Sequence, residues 1–475
     1  MLKRILAGLS ASAVIVLTVG AAPAAALSRN MPASTDYVIS LTGVADSSLS
    51  ASQQNCMRPY SHDLQDALDA YDNGDIIYLC PGVYVGPFSA THGDGLTLVG
   101  ANPRTTIIDG ASSGDSTIYI DTNSYFTVQN LTFRNGYVDT NGEPGAAIHT
   151  DNAFTCINST FEDNETWTSG YHVGGAVATD GYGDVEVNRC TFKNNKAADE
   201  GGAIYVGNAA PDYYADFICN ASTFVNNRAY LGSGGRGWGG AVHVVYDASI
   251  NRCSFNGNHG NFGGAIFMGG NLTVRDSTFT NNEAYCSGGA VQLQGYFGSS
   301  TMFLRSTFSG NHTLVDDCDG TFYSWDEDVW VGGGAIFSLF NTITTVSSKF
   351  TNNTSLWAGG AIASLESIYS YSSTYTGNRA YAGGGAMYQD DNYLYLYEGN
   401  VLKRNYSISG GGFWADNVYV DAVNIFSGNV SSWTNEDGAR ADGGYGYGCS
   451  EIDLPPRSEE HTSELQSHLN LVCRL

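Results

Sequence analysis

Basic side chains are scarce in this chain. Its 475 residues include 21 Lys and Arg against 47 Asp and Glu, a formal net charge of −26. Such a surface repels nucleic acids and anionic membranes, so we expect neither as a partner. The same charge suits a calcium-rich extracellular setting and disfavours an acidic polysaccharide ligand unless cations bridge the two. Alternatively, the acidity only keeps a long chain soluble.

Helical periodicity and clustered metal ligands are also missing. No stretch between residues 133 and 430 keeps a 3.6-residue apolar period, which argues against helices there. The sequence has no Cys-x-x-Cys motif and its nine His residues are scattered, so a zinc site has little support and we expect no cofactor, apart from calcium as an alternative.

Long apolar runs are absent as well. The stretch Leu6–Val19 is too short to predict a membrane-spanning segment. Preceded by Lys3 and Arg4 and followed by the small residues Ala24–Ala26, it is typical of a signal peptide covering residues 1–26. We therefore expect the protein to be secreted or displayed on a bacterial cell surface.

What the chain does contain is a tandem repeat of two short motifs, recurring about every 24–32 residues, a period typical of solenoids. The first motif is Gly-Gly-Ala followed by an apolar residue, with its alanine at Ala176, Ala203, Ala241, Ala265, Ala290, Ala335, Ala361 and Ala386. The second is Phe-x-x-Asn, beginning at Phe161, Phe192, Phe224, Phe255, Phe279, Phe308, Phe350 and Phe426.

Each repeat carries short runs of alternating apolar residues, which predict strands. Strands without helices between them bury a face only when neighbouring repeats stack. The sequence therefore predicts an all-β, right-handed parallel β-helix of about a dozen coils spaced about 4.8 Å apart. We expect the glycines at tight corners, the Phe residues stacked inside, and the Asn residues in an internal ladder at a turn, where Asn tolerates the left-handed conformation.

The alternation of the two motifs resembles the repeat of the polymorphic outer-membrane proteins of obligate intracellular bacteria. The resemblance covers residues 133–430 and implies a β-helix of the pectate-lyase-like superfamily. In that family the repeats form a surface passenger, often one that acts in adhesion. The resemblance carries over no binding residue, because the matching motifs are structural.

The ends of the chain differ from the repeats. Residues 36–110 resemble the N-terminal cap and first coils of such a helix, with a short helix over Ser61–Leu68, and the repeats occupy residues 111–430. Residues 431–456 form a Gly- and Asp-rich stretch. Residues 457–475 match the translation of a common sequencing-library adapter, so we expect them to be an artefact and the natural chain to continue differently after residue 456.

Cysteines are compatible with disulfides in an exported protein. Cys56 and Cys80 flank the cap helix and form the predicted disulfide. Four others precede motif phenylalanines at fixed distances, which predicts stacked core thiols, with bonds between coils as the alternative. These are Cys156, Cys190, Cys219 and Cys253.

Two features of the sequence are candidates for a functional site rather than parts of the repeat. The first is an insertion between Ala290 and Ala335, whose carboxylates could bind calcium or supply the acid and base of glycoside cleavage. The calcium candidates are Asp316, Asp317 and Asp319, and the catalytic candidates are Asp326 and Asp328. The alternative is a solvated acidic loop.

The second feature is an aromatic column. The residue after each apolar position of the Gly-Gly-Ala motif should point outward, and many of these residues are aromatic. The binding candidates are Tyr205, Phe267, Phe337, Tyr388 and Trp414, and Tyr393, Tyr395 and Tyr397 add to them. The alternative is that loops cover this column.

Together these features favour a non-catalytic, adhesin-like surface or extracellular protein that binds a glycan or a protein along its length. One alternative is a polysaccharide lyase or glycosidase on the same scaffold. Another is a passive structural surface protein.

Overall fold

A computed structural model describes much of the chain. The described residues are 56–57, 63–121, 124–139, 144–167, 173–179, 181, 183–207, 215–229, 237–295, 298–315, 332–421, 423–431 and 444–446. The chain divides into two compact units, and all of the described residues belong to the second, Val38–Leu475. The predicted signal peptide and residues 457–475 lie outside the described part.

The described chain begins with a cap. One helix, Asp63–Ala70, buries Leu64, Ala67 and Leu68, each at most 1 % exposed, as the predicted amphipathic pattern requires. The Gln65 side chain accepts a hydrogen bond from the Ser89 amide and donates one to the Ser89 carbonyl, both at 2.9 Å. These bonds attach the helix to an edge strand that would otherwise remain open.

Beyond the cap, the described chain is a right-handed parallel solenoid, which confirms the predicted fold. Most of the described coils contribute four strands. The first two belong to one 24-stranded sheet, the third to a 13-stranded sheet and the fourth to an 11-stranded sheet, in agreement with about a dozen coils.

The first strand of each coil follows the Gly-Gly-Ala position, and we call this set the Gly-Gly-Ala ladder. It comprises Phe88–Ala90, Ile118–Ile120, Ile148–Thr150, Val177–Thr179, Ile204–Val206, Val242–Val244, Ile266–Met268, Val291–Leu293, Ile336–Ser338 and Ile362–Ser364. The next strand of each coil forms the second ladder. It comprises Asp75–Leu79, Leu96–Gly100, Tyr125–Gln129, Ala153–Ile157, Val185–Asn188, Phe217–Asn220, Ala248–Asn251, Leu272–Arg275, Ser300–Leu304, Thr342–Val346 and Ile368–Tyr371. The two ladders merge in the long strands Met387–Tyr397 and Phe413–Val420, and Gly444–Gly446 pairs with the latter.

The remaining strands form the other two sheets. The Phe sheet comprises Gly82–Val85, Thr106–Asp109, Thr132–Arg134, Thr160–Glu162, Thr191–Lys193, Thr223–Val225, Ser254–Asn256, Thr278–Thr280, Thr307–Ser309, Lys349–Thr351, Thr374–Thr376, Val401–Lys403 and Ile425–Ser427. The short sheet comprises Tyr137–Val138, Glu165–Thr166, Lys196–Ala197, Arg228–Ala229, His259–Phe262, Glu283–Ser287, His312–Thr313, Thr354–Ser355, Arg379–Ala380, Tyr406–Ser407 and Val430–Ser431.

The core is a continuous aromatic stack. Because the strands pair in register, the motif phenylalanine of one coil lies on that of the next, with ring centroids 4.7–4.9 Å apart and planes within 6°. The stack runs from Phe133 through each motif phenylalanine to Phe350 and ends on Tyr375. Tyr375 thus occupies the position in the stack that phenylalanine holds in the preceding coils.

An asparagine ladder lies beside this stack. Each Nδ2 donates to Oδ1 of the asparagine in the next coil at 2.9–3.0 Å, in a run from Asn164 to Asn429. The predicted ladder is confirmed, but the expected backbone conformation is wrong. The left-handed residue is the one just before each ladder asparagine, such as Asn194 and Asn226, with φ of 56° and 53°. The ladder asparagine itself is held by neighbouring coils.

The paired glycines answer two different requirements. Gly263 has φ of +66°, a conformation that glycine adopts without strain. At Gly264, a Cβ would collide with the carbonyl oxygen of Gly289 in the next coil. The motif therefore marks the place where consecutive backbones approach most closely.

Disulfides join neighbouring coils. Cys56 and Cys80, the predicted pair, are bonded with Cα atoms 5.0 Å apart. Cys156–Cys190 and Cys219–Cys253 are also bonded, with Cα atoms 6.4 and 6.5 Å apart, so the expectation of stacked free thiols is wrong. The coil geometry explains this, because a cysteine on the second ladder lies close to the corner before the Phe strand of the next coil.

Candidate functional site

The outward side of the Gly-Gly-Ala ladder is covered. Tyr205 is 4 % exposed, and Phe267 and Phe337 are each 2 % exposed, so their prediction as contact residues is wrong in this structure. Tyr205 and Phe267 belong to small clusters outside the main core, so other parts of the coils pack over these two side chains. Tyr205 contacts Val173 and Ala178.

The covering chain is well packed around Phe267. The ring of Phe267 stacks on Trp238 with centroids 4.7 Å apart. Phe262 and the disulfide-bonded Cys286 pack against these two rings. Between Tyr205 and Phe267 in the same column, Nδ1 of His243 lies 2.8 Å from a carboxylate oxygen of Glu200, and both side chains are at most 5 % exposed. This closed pair offers no access to a large ligand.

The last two candidates of the column differ from the others. Tyr388 and Trp414 are half-buried and stack on each other with centroids 4.5 Å apart and planes 10° apart. They lie on the two long strands, close to the exposed tyrosines described below.

The candidate residues of the acidic insertion belong to the part of the chain that is not described. Asp316, Asp317, Asp319, Asp326 and Asp328 all lie outside the described residues, so the calcium and glycoside-cleaving hypotheses stay predictions. Within the described ranges, no cluster of three or more His, Cys, Asp or Glu side chains could hold a metal ion.

An aromatic array that is partly exposed lies on the second ladder and its continuation. We call it the tyrosine face, and it comprises Tyr369, Tyr371, Tyr393, Tyr395, Tyr397 and Tyr419. These tyrosines alternate along their strands with inward residues such as Leu394 and Leu396, which are fully buried. The period-2 pattern of a strand thus directs every phenol of the array to the same side.

The rings of the tyrosine face form a two-dimensional grid. Between coils, Tyr369 stacks on Tyr395 with centroids 4.6 Å apart, and Tyr371 stacks on Tyr397 at 5.3 Å. Along one strand, Tyr393, Tyr395 and Tyr397 follow one another at 5.7 and 5.8 Å. Because stacked rings cover each other's faces, the grid presents ring edges and hydroxyl groups to solvent.

Exposure is greatest at the margins of the grid. Tyr393 is 47 % and Tyr419 48 % exposed, while the four others are half-buried. Tyr419 tilts over the grid at 43–46° to the rings of Tyr395 and Tyr397. A ligand would therefore contact Tyr393 and Tyr419 most extensively.

Three phenols of this face, those of Tyr371, Tyr395 and Tyr397, have a raised pKa. Burial, followed by the neighbouring Tyr371, Tyr395 and Tyr419, raises the pKa of Tyr397 to about 12. Burial also raises the pKa of Tyr371, with smaller contributions from Tyr369 and the carboxylate of Glu398. The hydroxyls of Tyr371, Tyr395 and Tyr397 consequently stay protonated at physiological pH and can both donate and accept hydrogen bonds.

Comparison with known families agrees with this geometry. A family profile described as the right-handed beta helix region matches residues 104–279. A second profile, described as the Chlamydia polymorphic membrane protein repeat, matches residues 276–294.

The chain folds as a right-handed parallel β-helix, and one segment of it is similar to the polymorphic membrane protein repeat.

This β-helix protein has no match among curated proteins. The polymorphic membrane protein repeat implies a bacterial outer-membrane or surface protein. In the described part of the chain, no helix is long and apolar enough to cross a membrane.

The motifs that identify the repeat do not mark its exposed face. The sequence pattern singled out Tyr393, Tyr395 and Tyr397 but missed Tyr369, Tyr371 and Tyr419. The missing signal is a Tyr-x-Tyr pair in consecutive repeats, Tyr369 with Tyr371 and then Tyr395 with Tyr397. Aligning the strands of adjacent coils would have revealed it.

Proposed function

We propose that this protein is a non-catalytic, adhesin-like binding protein of the bacterial surface, and that its ligand contacts the tyrosine face. The observation that carries the proposal is the contiguous, partly exposed array of six tyrosines on the flat outer side of three successive coils. Large exposed aromatic patches are uncommon on proteins that bind nothing.

The scaffold suits this role. Tyrosine supplies a large amphipathic contact area with few rotatable bonds, so little conformational entropy is lost on binding. Here stacking fixes the rings further before any ligand arrives. The solenoid supplies the extended, rigid surface that repeat proteins typically use for recognition.

The test is a binding screen of the intact protein. We would compare wild type with Tyr393→Ala/Tyr397→Ala/Tyr419→Ala on arrays of glycans and of cell-surface proteins. The matched control is Tyr285→Ala/Tyr381→Ala, which removes exposed tyrosines near the short sheet, 41 % and 61 % exposed. Circular dichroism would verify that all three proteins keep the β fold.

We expect wild type and the control to bind the same ligand, and the face variant to bind it at least about tenfold more weakly, since interface tyrosines commonly contribute more than about 1 kcal/mol each. Equal binding by the face variant would contradict the proposal. A wild-type protein that binds no glycan and no protein would favour the passive structural alternative.

A further inference from the structure

We propose that the ligand of the tyrosine face is a neutral polysaccharide, an extended chain of uncharged sugar rings bound through the phenol hydroxyls. This inference rests on the proposed function of that face. It adds the chemical class of the ligand, which follows from the arrangement of the hydroxyls and from the charges around them.

The tyrosine rings, and with them their hydroxyl groups, repeat at regular intervals. Ring centroids repeat at 4.6–5.3 Å between coils and at 5.7–5.8 Å along the strand Met387–Tyr397. A polysaccharide chain likewise presents hydroxyl groups at short, regular intervals along its length. Repeated hydrogen bonds from a fixed grid suit a repeated ligand, because the grid is already ordered before binding.

The margins of the face carry negative charge. Glu398 lies close enough to Tyr371 to affect its ionisation, and its amide donates to the carboxylate of Asp421 at 2.8 Å. On the side where the strands begin, Glu366 accepts a hydrogen bond from the amide of Asn392 at 3.1 Å. With a net charge of −26 on the chain, this setting repels sulfated and uronic-acid polymers.

The state of the phenols fits an uncharged ligand. Burial raises the pKa of Tyr395, and the interactions with Tyr369 and Tyr393 raise it further. A neutral hydroxyl pairs with the hydroxyl of a sugar without leaving a charge desolvated and unpaired.

The same stacking disfavours a protein ligand. Protein interfaces are stabilised mainly by side chains seated in pockets. Rings stacked at 4.6 Å, as Tyr369 and Tyr395 are, leave no pocket between the coils. The remaining surface is flat and consists of ring edges and hydroxyl groups. Such a surface fits an extended polysaccharide chain better than a protruding side chain.

Titration calorimetry on the intact protein tests the inference. The neutral probes are cellohexaose, chitohexaose, a soluble β-1,3-glucan and a mannan, and the anionic probes are heparin and polygalacturonate. The variant Tyr371→Phe/Tyr395→Phe/Tyr397→Phe keeps every ring and the stack but removes three hydroxyls. The control Tyr285→Phe/Tyr381→Phe removes two hydroxyls elsewhere.

We expect wild type and the control to bind at least one neutral probe more tightly than either anionic probe. The three-hydroxyl variant should bind that probe about 100-fold more weakly, since each of the three lost hydrogen bonds costs roughly five-fold. Undiminished binding by this variant, preference for an anionic probe, or no binding of any neutral probe would each overturn the inference.

These results separate the inference from the function on which it rests. If no neutral probe binds, but a protein on the array binds wild type and not the alanine face variant, then the tyrosine face is a contact surface for protein and only the ligand class is wrong. If the alanine variant loses nothing at all, both proposals fail together.

Discussion

At the scale of single residues, the ladder asparagines show why this repeat tolerates so little variation at one position and so much at others. Asn258 is fully buried and its side chain satisfies groups in both neighbouring coils. Its Nδ2 donates to Phe224 and Asn282, while its Oδ1 accepts from the amide of Asn227. No other side chain of similar size has both a donor pair and an acceptor at the required place.

Replacing Asn258 with alanine should therefore destabilise the protein strongly. The change leaves the amide of Asn227 and the carbonyl of Phe224 buried without these partners, and we expect a loss of about 3 kcal/mol in the free energy of unfolding. Urea denaturation followed by circular dichroism would measure it. Asn256→Ala, two residues away with an exposed side chain, should cost less than about 0.5 kcal/mol. Equal losses for the two variants would contradict the ladder's importance.

At the scale of strands, in-register stacking places equivalent residues of successive coils next to each other. This holds even where the residues carry the same charge. Three aspartates precede consecutive strands of the second ladder, Asp184, Asp216 and Asp247. Burial and then the charges of Asp184 and Asp247 raise the pKa of Asp216 above its ordinary value of 3.8. Asp276 shows the opposite effect, since its hydrogen bonds with Arg305 lower its pKa.

These two aspartates should respond to pH with opposite signs. A raised folded-state pKa means that ionisation of Asp216 costs stability above pH 3.8 and costs nothing well below it, where the folded and unfolded states are both protonated. Asp216→Asn should therefore raise the melting temperature at pH 7. The gain should stay below about 1 kcal/mol, because the side chain is only half-buried, and should vanish as the pH falls.

Asp276→Asn is the matched control with the opposite expected sign. The lowered pKa of Asp276 contributes stability above its ordinary value of 3.8, which is lost as the pH falls through the folded-state pKa. Its Asn variant should melt below wild type at pH 7 and approach it in acid. Thermal melts from pH 7 to pH 3 would decide. A stabilising Asp276→Asn, or a destabilising Asp216→Asn at pH 7, would show that charge is not the cause.

The strands also show which features of the structure could be predicted from the sequence. The strands, the Phe stack and the Asn ladder could be predicted because each depends on local period and on register, both visible in the repeat. The burial of Tyr205, Phe267 and Phe337 could not be predicted, because it depends on how the connections of each coil fold back over the sheet. The bond between Cys156 and Cys190 was equally hidden, since it depends on the offset of a corner between two coils.

At the scale of the whole molecule, each coil in the described part of the chain pairs its strands with those of the coils before and after it. Stability in such a solenoid is approximately a sum of coil and interface terms, so a local defect need not reach the ends. The Phe stack adds a second continuous path between coils. The question is whether that path makes the described helix one cooperative unit.

Phe279→Ala tests this directly. Phe279 is fully buried and stacks on Phe255 and Phe308 at 4.8 and 4.7 Å, so its loss should cost about 3–5 kcal/mol locally. If coupling is between nearest neighbours, hydrogen exchange should accelerate in the strands Thr278–Thr280 and Thr307–Ser309 and remain as in wild type in Thr106–Asp109. Mass spectrometry of exchanged peptides would read this out. A uniform acceleration along the chain would instead mean that the aromatic stack makes the coils unfold together.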